Sequence, residues 1–195
     1  MKIEITLFDI RAEMRDAWRI VCGGLPYVTV VNAQPKDLTV DYLVSPANSF
    51  GFLDGGIDLA YRNRFGVQLQ ARAQLRIQEL IGQELPVGNA LWLPTGDAGI
   101  PNIILAPTMR VPMALPTDTI NPYLAAKAAL SLIVNHNHLG KTSCSVAFPG
   151  MGTGVGLVPP LKCARQMRNA FEDVLRPGFP TTLQEAWDRH YQLAK

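Results

Sequence analysis

Residues 148–159 read Phe148-Pro149-Gly150-Met151-Gly152-Thr153-Gly154-Val155-Gly156-Leu157-Val158-Pro159. Four glycines alternate directly after the apolar run Val146 to Phe148. They stand directly before an apolar stripe at helical spacing, Leu161, Ala164, Met167, Phe171 and Leu175. Without side chains at alternate positions, such a loop brings several backbone N–H groups close to an anion, and the helix starting near Pro159 adds its positive end. The spacing is neither G-x-x-x-x-G-K nor G-x-G-x-x-G, so the fingerprints of P-loop and Rossmann sites are both missing. A turn that only lets strand and helix pack closely explains the same glycines.

Outward from this loop, the chain repeats the strand–loop–helix unit. Ile3, Ile5 and Leu7 alternate with polar residues, the mark of a half-buried strand ending at Asp9. Met14, Trp18 and Val21 follow at helical spacing, stopped by Gly23-Gly24. Tyr27 to Val31 and Tyr42 to Val44 read as buried strands, and Pro46 to Gly56 as a long loop rich in glycine and polar residues. Helices are expected over Ile57 to Phe65 and Val67 to Ile81, strands over Ala90 to Leu93 and Ile103 to Ala106, and a helix from Asn121-Pro122. This alternation predicts an α/β fold, a three-layer α/β/α sandwich with a mixed, largely parallel central sheet. Ligands in such folds collect at the carboxyl ends of strands, where Asp9, Pro46 to Gly56 and Pro149 to Val158 all fall.

The 195 residues suit a single domain, with a C-terminal helical extension near 179–195. At 48% hydrophobic and 17% charged residues the chain is globular, and a net charge of +2 without basic runs argues against nucleic acid as a partner. Cys22, Cys144 and Cys163 read as reduced thiols, and no stretch is apolar enough to span a membrane, so a cytoplasmic location is expected. His136 and His138, two apart, do not share a helix face and read as a solvated helix end rather than a metal site. Arg110, after the strand ending near Ala106, is a possible phosphate or substrate contact. Asp58 falls in the first turn of a helix opened by Gly55-Gly56, where a carboxylate also satisfies the helix dipole.

The stretch Val44-Ser45-Pro46-Ala47-Asn48-Ser49-Phe50-Gly51-Phe52-Leu53-Asp54-Gly55-Gly56-Ile57-Asp58 resembles the macrodomain signature, an Asn-Ala-Ala-Asn segment followed by a glycine run and a Val-Asp pair. The Asn-to-Asp spacing is kept. Phe148-Pro149 through Thr153-Gly154-Val155 to Pro159 resembles the family's second loop, and Asp9-Ile10 its Gly-Asp-Ile; together the three motifs span most of residues 1–175. In spacing they are most similar to MacroD-type hydrolases.

The resemblance implies an ADP-ribose pocket, with ADP-ribose as ligand or product and no further cofactor or metal. It assigns the adenine end to Asp9 and Ile10. Ala47 lies in the signature, and Gly55, Gly56 and Ile57 hold the diphosphate from one side. The run Gly150, Met151, Gly152, Thr153, Gly154, Val155 and Gly156 contributes the other side. Asn48 contacts the distal ribose and Asp58 orients or activates water. The activity implied is hydrolysis of an ADP-ribosyl bond, on acidic protein side chains or in O-acyl-ADP-ribose; the alternatives are a non-catalytic reader of ADP-ribose or a related nucleotide, and a scaffold with a degenerate pocket. The partner is then ADP-ribose or an ADP-ribosylated protein, with no membrane. The sequence departs from the family where Ser45-Pro46 replaces Asn-Ala, Leu53-Asp54 interrupts the glycines, Tyr61 replaces His, and Gly156 replaces an aromatic that covers the distal ribose. The open ribose end suggests Phe50 or Phe52 as the substitute ring. The stretch from Asp9 to Val44 is longer than in compact members, which suggests an inserted helix and strand near 11–40.

Overall fold

Six strands form one sheet in the order β2-β1-β6-β3-β5-β4 in the computed structural model, which describes residues 2–136 and 142–195. In chain order the elements are β1 (Lys2–Phe8), α1 (Ala12–Cys22), β2 (Val28–Val31), β3 (Tyr42–Ser45), α2 (Gly56–Phe65), α3 (Gln68–Gln78), β4 (Leu91–Pro94), β5 (Asn102–Leu105), α4 (Asn121–His136), β6 (Ser143–Phe148), α5 (Pro160–Leu175) and α6 (Leu183–Ala194). Pairing is parallel throughout except at the edge, where β4 runs antiparallel to β5 with Leu91 opposite Leu105.

Because side chains alternate across a strand, the strands feed two cores. Ile3, Ile5, Leu7, Tyr42, Val44, Ile104, Val146 and Phe148 pack with α1, α4 and α5 on one face. Phe8, Leu43, Ile103, Leu105 and Ala147 pack with α2 and α3 on the other. The three expected layers are present. Asp41, just before β3, sets the offset of the central strands: its carboxylate accepts from the Ser145 amide at 2.8 Å and the Ser145 hydroxyl at 2.9 Å.

The order β1-β6-β3 has a direct consequence for the site. It places the loop after β6 between the end of β1 and the loop after β3, and the parallel pairing sends all three, with the segment after β5, to one edge. His136 at the end of α4 packs its ring on Trp92, centroids 5.0 Å apart, and meets the Tyr42 hydroxyl at 3.3 Å; His138 lies outside the described residues. Cys22, Cys144 and Cys163 are all buried. Among the described residues no helix is long and apolar enough to cross a membrane.

Candidate functional site

A cavity of about 560 Å3 opens at this edge of the sheet. Asp9 and Ile10 line it from the end of β1, Ala47 and Asn48 from the loop after β3, Gly55 to Asp58 from the start of α2, and Gly150, Gly152 and Thr153 to Gly156 from the loop after β6. Met151 is the exception. Its side chain is fully buried in the core beside α5, because the loop turns inward there, and its carbonyl accepts from the Cys163 thiol at 3.3 Å.

Two runs of backbone at the cavity leave N–H groups without a protein acceptor. No side chain caps α2, whose cap residue Gly55 is extended and whose first residue, Gly56, has φ +54, a left-handed value that glycine adopts at no steric cost. In the loop after β6, Leu157 N–H donates to the Gly154 carbonyl at 3.0 Å and Val158 N–H to the Gly152 carbonyl at 3.1 Å. Among the described residues, the amides from Gly150 to Gly156 donate to no protein group. The loop is thus braced at its exit, and its earlier N–H groups are left without a protein acceptor.

Asp9 does not stand alone. Arg11, which the motif reading passed over, donates from its backbone N–H at 2.9 Å and from Nε at 3.2 Å to Asp9 Oδ1, and from Nη2 at 2.8 Å to Oδ2. The same guanidinium crosses to the glycine loop, reaching Thr153 Oγ1 at 2.6 Å and the Thr153 carbonyl at 3.1 Å. Arg15 braces the turn beneath, donating to the carbonyls of Asp9 at 3.0 Å and Ile10 at 2.6 Å.

Asp58 is half-buried, and Ser45 at the end of β3 donates its hydroxyl to Asp58 Oδ1 at 2.6 Å. Taking the carboxylate out of water raises its pKa to about 7, and the charge of Asp54 pushes the same way, while the Ser45 hydrogen bond favours the ionised form. The serine that interrupts the Asn-Ala pattern is therefore the partner of the candidate catalytic carboxylate. Asn48 also lines the cavity, but its side chain braces its own loop: Oδ1 accepts from the amides of Phe50 at 3.1 Å and Phe52 at 3.3 Å, and Nδ2 donates to the Phe52 carbonyl at 2.8 Å. Tyr61 is fully buried, donates to the Val44 carbonyl at 3.0 Å, and belongs to the core.

Around Gly156 the cavity wall is closely packed. A Cβ there would lie 2.5 Å from the Gly152 carbonyl oxygen and 3.1 Å from the terminal methyl of Met109. Close backbone approach requires the glycine, and Met109 fills the adjoining space on the cavity wall. Phe52, half exposed, also lines the cavity, whereas Phe50 sits under the Arg110 guanidinium, 5.0 Å from its ring centroid. Arg110 is engaged by Glu84 at 2.8 and 3.0 Å and does not line the cavity. Among the described residues no group of three His, Cys, Asp or Glu side chains could hold a metal.

Arg11, Ser45 and Met109 reach the site through contacts that short motifs do not encode. Only Arg11 left a signal, an arginine two residues from a candidate ligand carboxylate.

The fold agrees with solved structures. The macrodomain of Mycobacterium tuberculosis DarG superposes with a TM-score of 0.61 at 20% identity, covering 74% of this chain and 90% of that one. An Oceanobacillus iheyensis macrodomain variant solved with ADPR gives 0.59 at 21% identity, over 79% and 83%. An uncharacterised protein of Aquifex aeolicus is 30% identical over 172 residues, 83% of this chain and 96% of that protein. The Macro domain family model matches residues 44–167, a segment that holds both glycine loops and the Asp58 site, and by that match and the shared fold this chain belongs to the Macro domain family.

Proposed function

We propose that the cavity binds ADP-ribose and that the protein hydrolyses an ADP-ribosyl bond, with Asp58 handling the proton of the attacking water. The observation that carries the reading is the Asp58 carboxylate: it lines the cavity beside the uncapped start of α2, Ser45 fixes its orientation, and its pKa lies near 7. A base with that proton affinity is present in both forms near neutral pH and can accept and return a proton. In the ester linkage to an acidic side chain, water adds to the anomeric carbon of the distal ribose, the C–O bond breaks, the side-chain carboxylate leaves, and Asp58 takes the water proton. In O-acyl-ADP-ribose the water adds to the acyl carbon instead, and the ribose hydroxyl leaves.

The glycine loop and the start of α2 supply N–H donors for the diphosphate. Asp9 keeps one of its roughly four acceptor positions open after three bonds from Arg11, enough for an adenine amino group. That solved macrodomains of the same fold carry ADPR or ADP supports the ligand choice. The second reading, a non-catalytic reader, is favoured by Asn48, whose side chain is already engaged by its own loop.

Calorimetric titration with ADP-ribose, with AMP as control, tests binding. The expected result is micromolar affinity, about −8 kcal/mol, with AMP far weaker; no binding of either overturns the reading. Turnover of mono-ADP-ribosylated protein and O-acyl-ADP-ribose by wild type and Asp58→Ala then separates the activities. A hydrolase loses most turnover and keeps the ligand; a reader shows no turnover in either form.

A further inference from the structure

Among the described residues, the charged side chains lining the cavity are Asp9, Asp54, Asp58 and Arg11, three carboxylates against one cation. A nucleoside diphosphate brings further negative charge into that setting. Backbone N–H dipoles can orient such a ligand, yet they carry no net charge to offset the carboxylates.

Arg11 is placed for that task. Its guanidinium is clamped between the Asp9 carboxylate and Thr153, so it is held at the seam between the adenine-side turn and the glycine loop. A Cβ built on Gly150 would lie 3.4 Å from Arg11 Nη2, which locates the cation against the loop backbone itself. Of the five guanidinium donors, Nε, one on Nη1 and two on Nη2 are engaged, leaving the second Nη1 hydrogen to donate elsewhere. The side chain is 43% exposed and lines the cavity, so a ligand can reach it.

We propose that Arg11 is the specificity residue that reads the diphosphate, selecting nucleoside diphosphates over uncharged nucleosides. This rests on the ADP-ribose reading above. Charge-assisted bonds to phosphate oxygens are about twice as strong as neutral ones, and a planar fork clamped from two sides loses little entropy on making one more.

The test compares wild type, Arg11→Gln and Arg11→Lys by NMR titration with ADP-ribose, ADP and adenosine at two salt concentrations. For Arg11→Gln, ADP-ribose and ADP affinity should fall by about 10-fold or more, adenosine affinity should change by less than about 3-fold, and the salt dependence of ADP binding should shrink. Arg11→Lys, which keeps the charge, should recover part of the ADP affinity. Equal loss for adenosine and ADP in Arg11→Gln would show that Arg11 acts only by positioning Asp9, and would overturn this inference alone. Wild type that ignores ADP-ribose and ADP would overturn it together with the functional reading.

Discussion

Asp58 shows how one hydroxyl tunes a carboxylate. Burial and Asp54 hold the proton on, and the 2.6 Å bond from Ser45 pulls the other way. In the proposed role of base, Asp58 must be ionised, so turnover should rise with pH through about 7. Ser45→Ala removes the one influence that favours the anion, so the midpoint of the pH–rate profile should move upward, while Ser45→Thr should leave it near the wild-type value. An unchanged midpoint in Ser45→Ala would remove Ser45 from the mechanism. Stability follows with the opposite sense. A carboxylate whose folded pKa is raised from 3.8 to about 7 favours the folded state fully below 3.8, and that contribution is lost as pH rises through about 7. Thermal unfolding against pH should therefore show stability falling across that interval, with a smaller fall in Asp58→Asn.

The elements that line the cavity are loops held by their neighbours. The loop after β6 stays open because Val158 and Leu157 tie its exit, Leu115 N–H donates to the Gly156 carbonyl at 3.0 Å, and Arg11 ties Thr153. Gly156→Ala forces a Cβ to 2.5 Å from the Gly152 carbonyl, a backbone atom that can yield only by moving the loop. We expect this substitution to weaken ADP-ribose binding by at least about 10-fold and to destabilise the fold by about 1–3 kcal/mol, checked by calorimetry and denaturant titration. Wild-type affinity in Gly156→Ala would mean that the loop geometry is not what binds. The loop after β3 is braced differently, by Asn48 within itself and by Leu53 N–H donating to Gln70 Oε1 of α3 at 2.9 Å. The alternation of Gly150, Gly152, Gly154 and Gly156 suggested an anion loop, and three of the four differ in their surroundings: Gly152 has φ +71, Gly150 lies beside Thr153 and Arg11, and Gly156 permits close backbone approach.

At the scale of the molecule, α6 closes the fold away from the cavity. No residue of α6 is fully buried, but it satisfies polar groups of α5 that would otherwise be stranded. Gln166 donates from Nε2 to the carbonyls of Thr119 and Leu193, both at 2.7 Å, Lys162 donates to the carbonyls of Thr117 and Ala194, and Arg189 meets Asp173 at 2.6 Å. Removing residues 180–195 should cost about 2–4 kcal/mol of stability through these lost partners, with ligand affinity in the surviving folded protein unchanged. Equilibrium denaturation with and without ADP-ribose measures both quantities; a truncated chain as stable as the whole one would sink the argument.

Periodicity was enough for the strands, the helices and the layered α/β arrangement, because a period of two or 3.6 records which face of each element is buried. Ile3, Ile5 and Leu7 alternate in the sequence and all three lie in one core. Glycine and Asx-rich loops likewise marked the ends of β3 and β6, since turn chemistry is local. The order β2-β1-β6-β3-β5-β4 and the reversed edge strand are non-local, and no short window encodes them. The same limit explains the site. Ser45 beside Asp58, Arg11 beside Thr153 and Met109 beside Gly156 are 13, 142 and 47 residues apart in the chain, and only packing brings them together. Met151 is the converse case: its place within a glycine loop suggested a ligand contact, and the inward turn of the loop committed it to the core. Residue type and spacing by themselves determined what kind of chemistry the chain can support, because donors, acceptors and backbone freedom are local properties. Only the tertiary structure decided which groups are already engaged, which carboxylate holds its proton near neutral pH, and where Arg11 stands against the cavity, because burial and distance are set by residues far away in sequence.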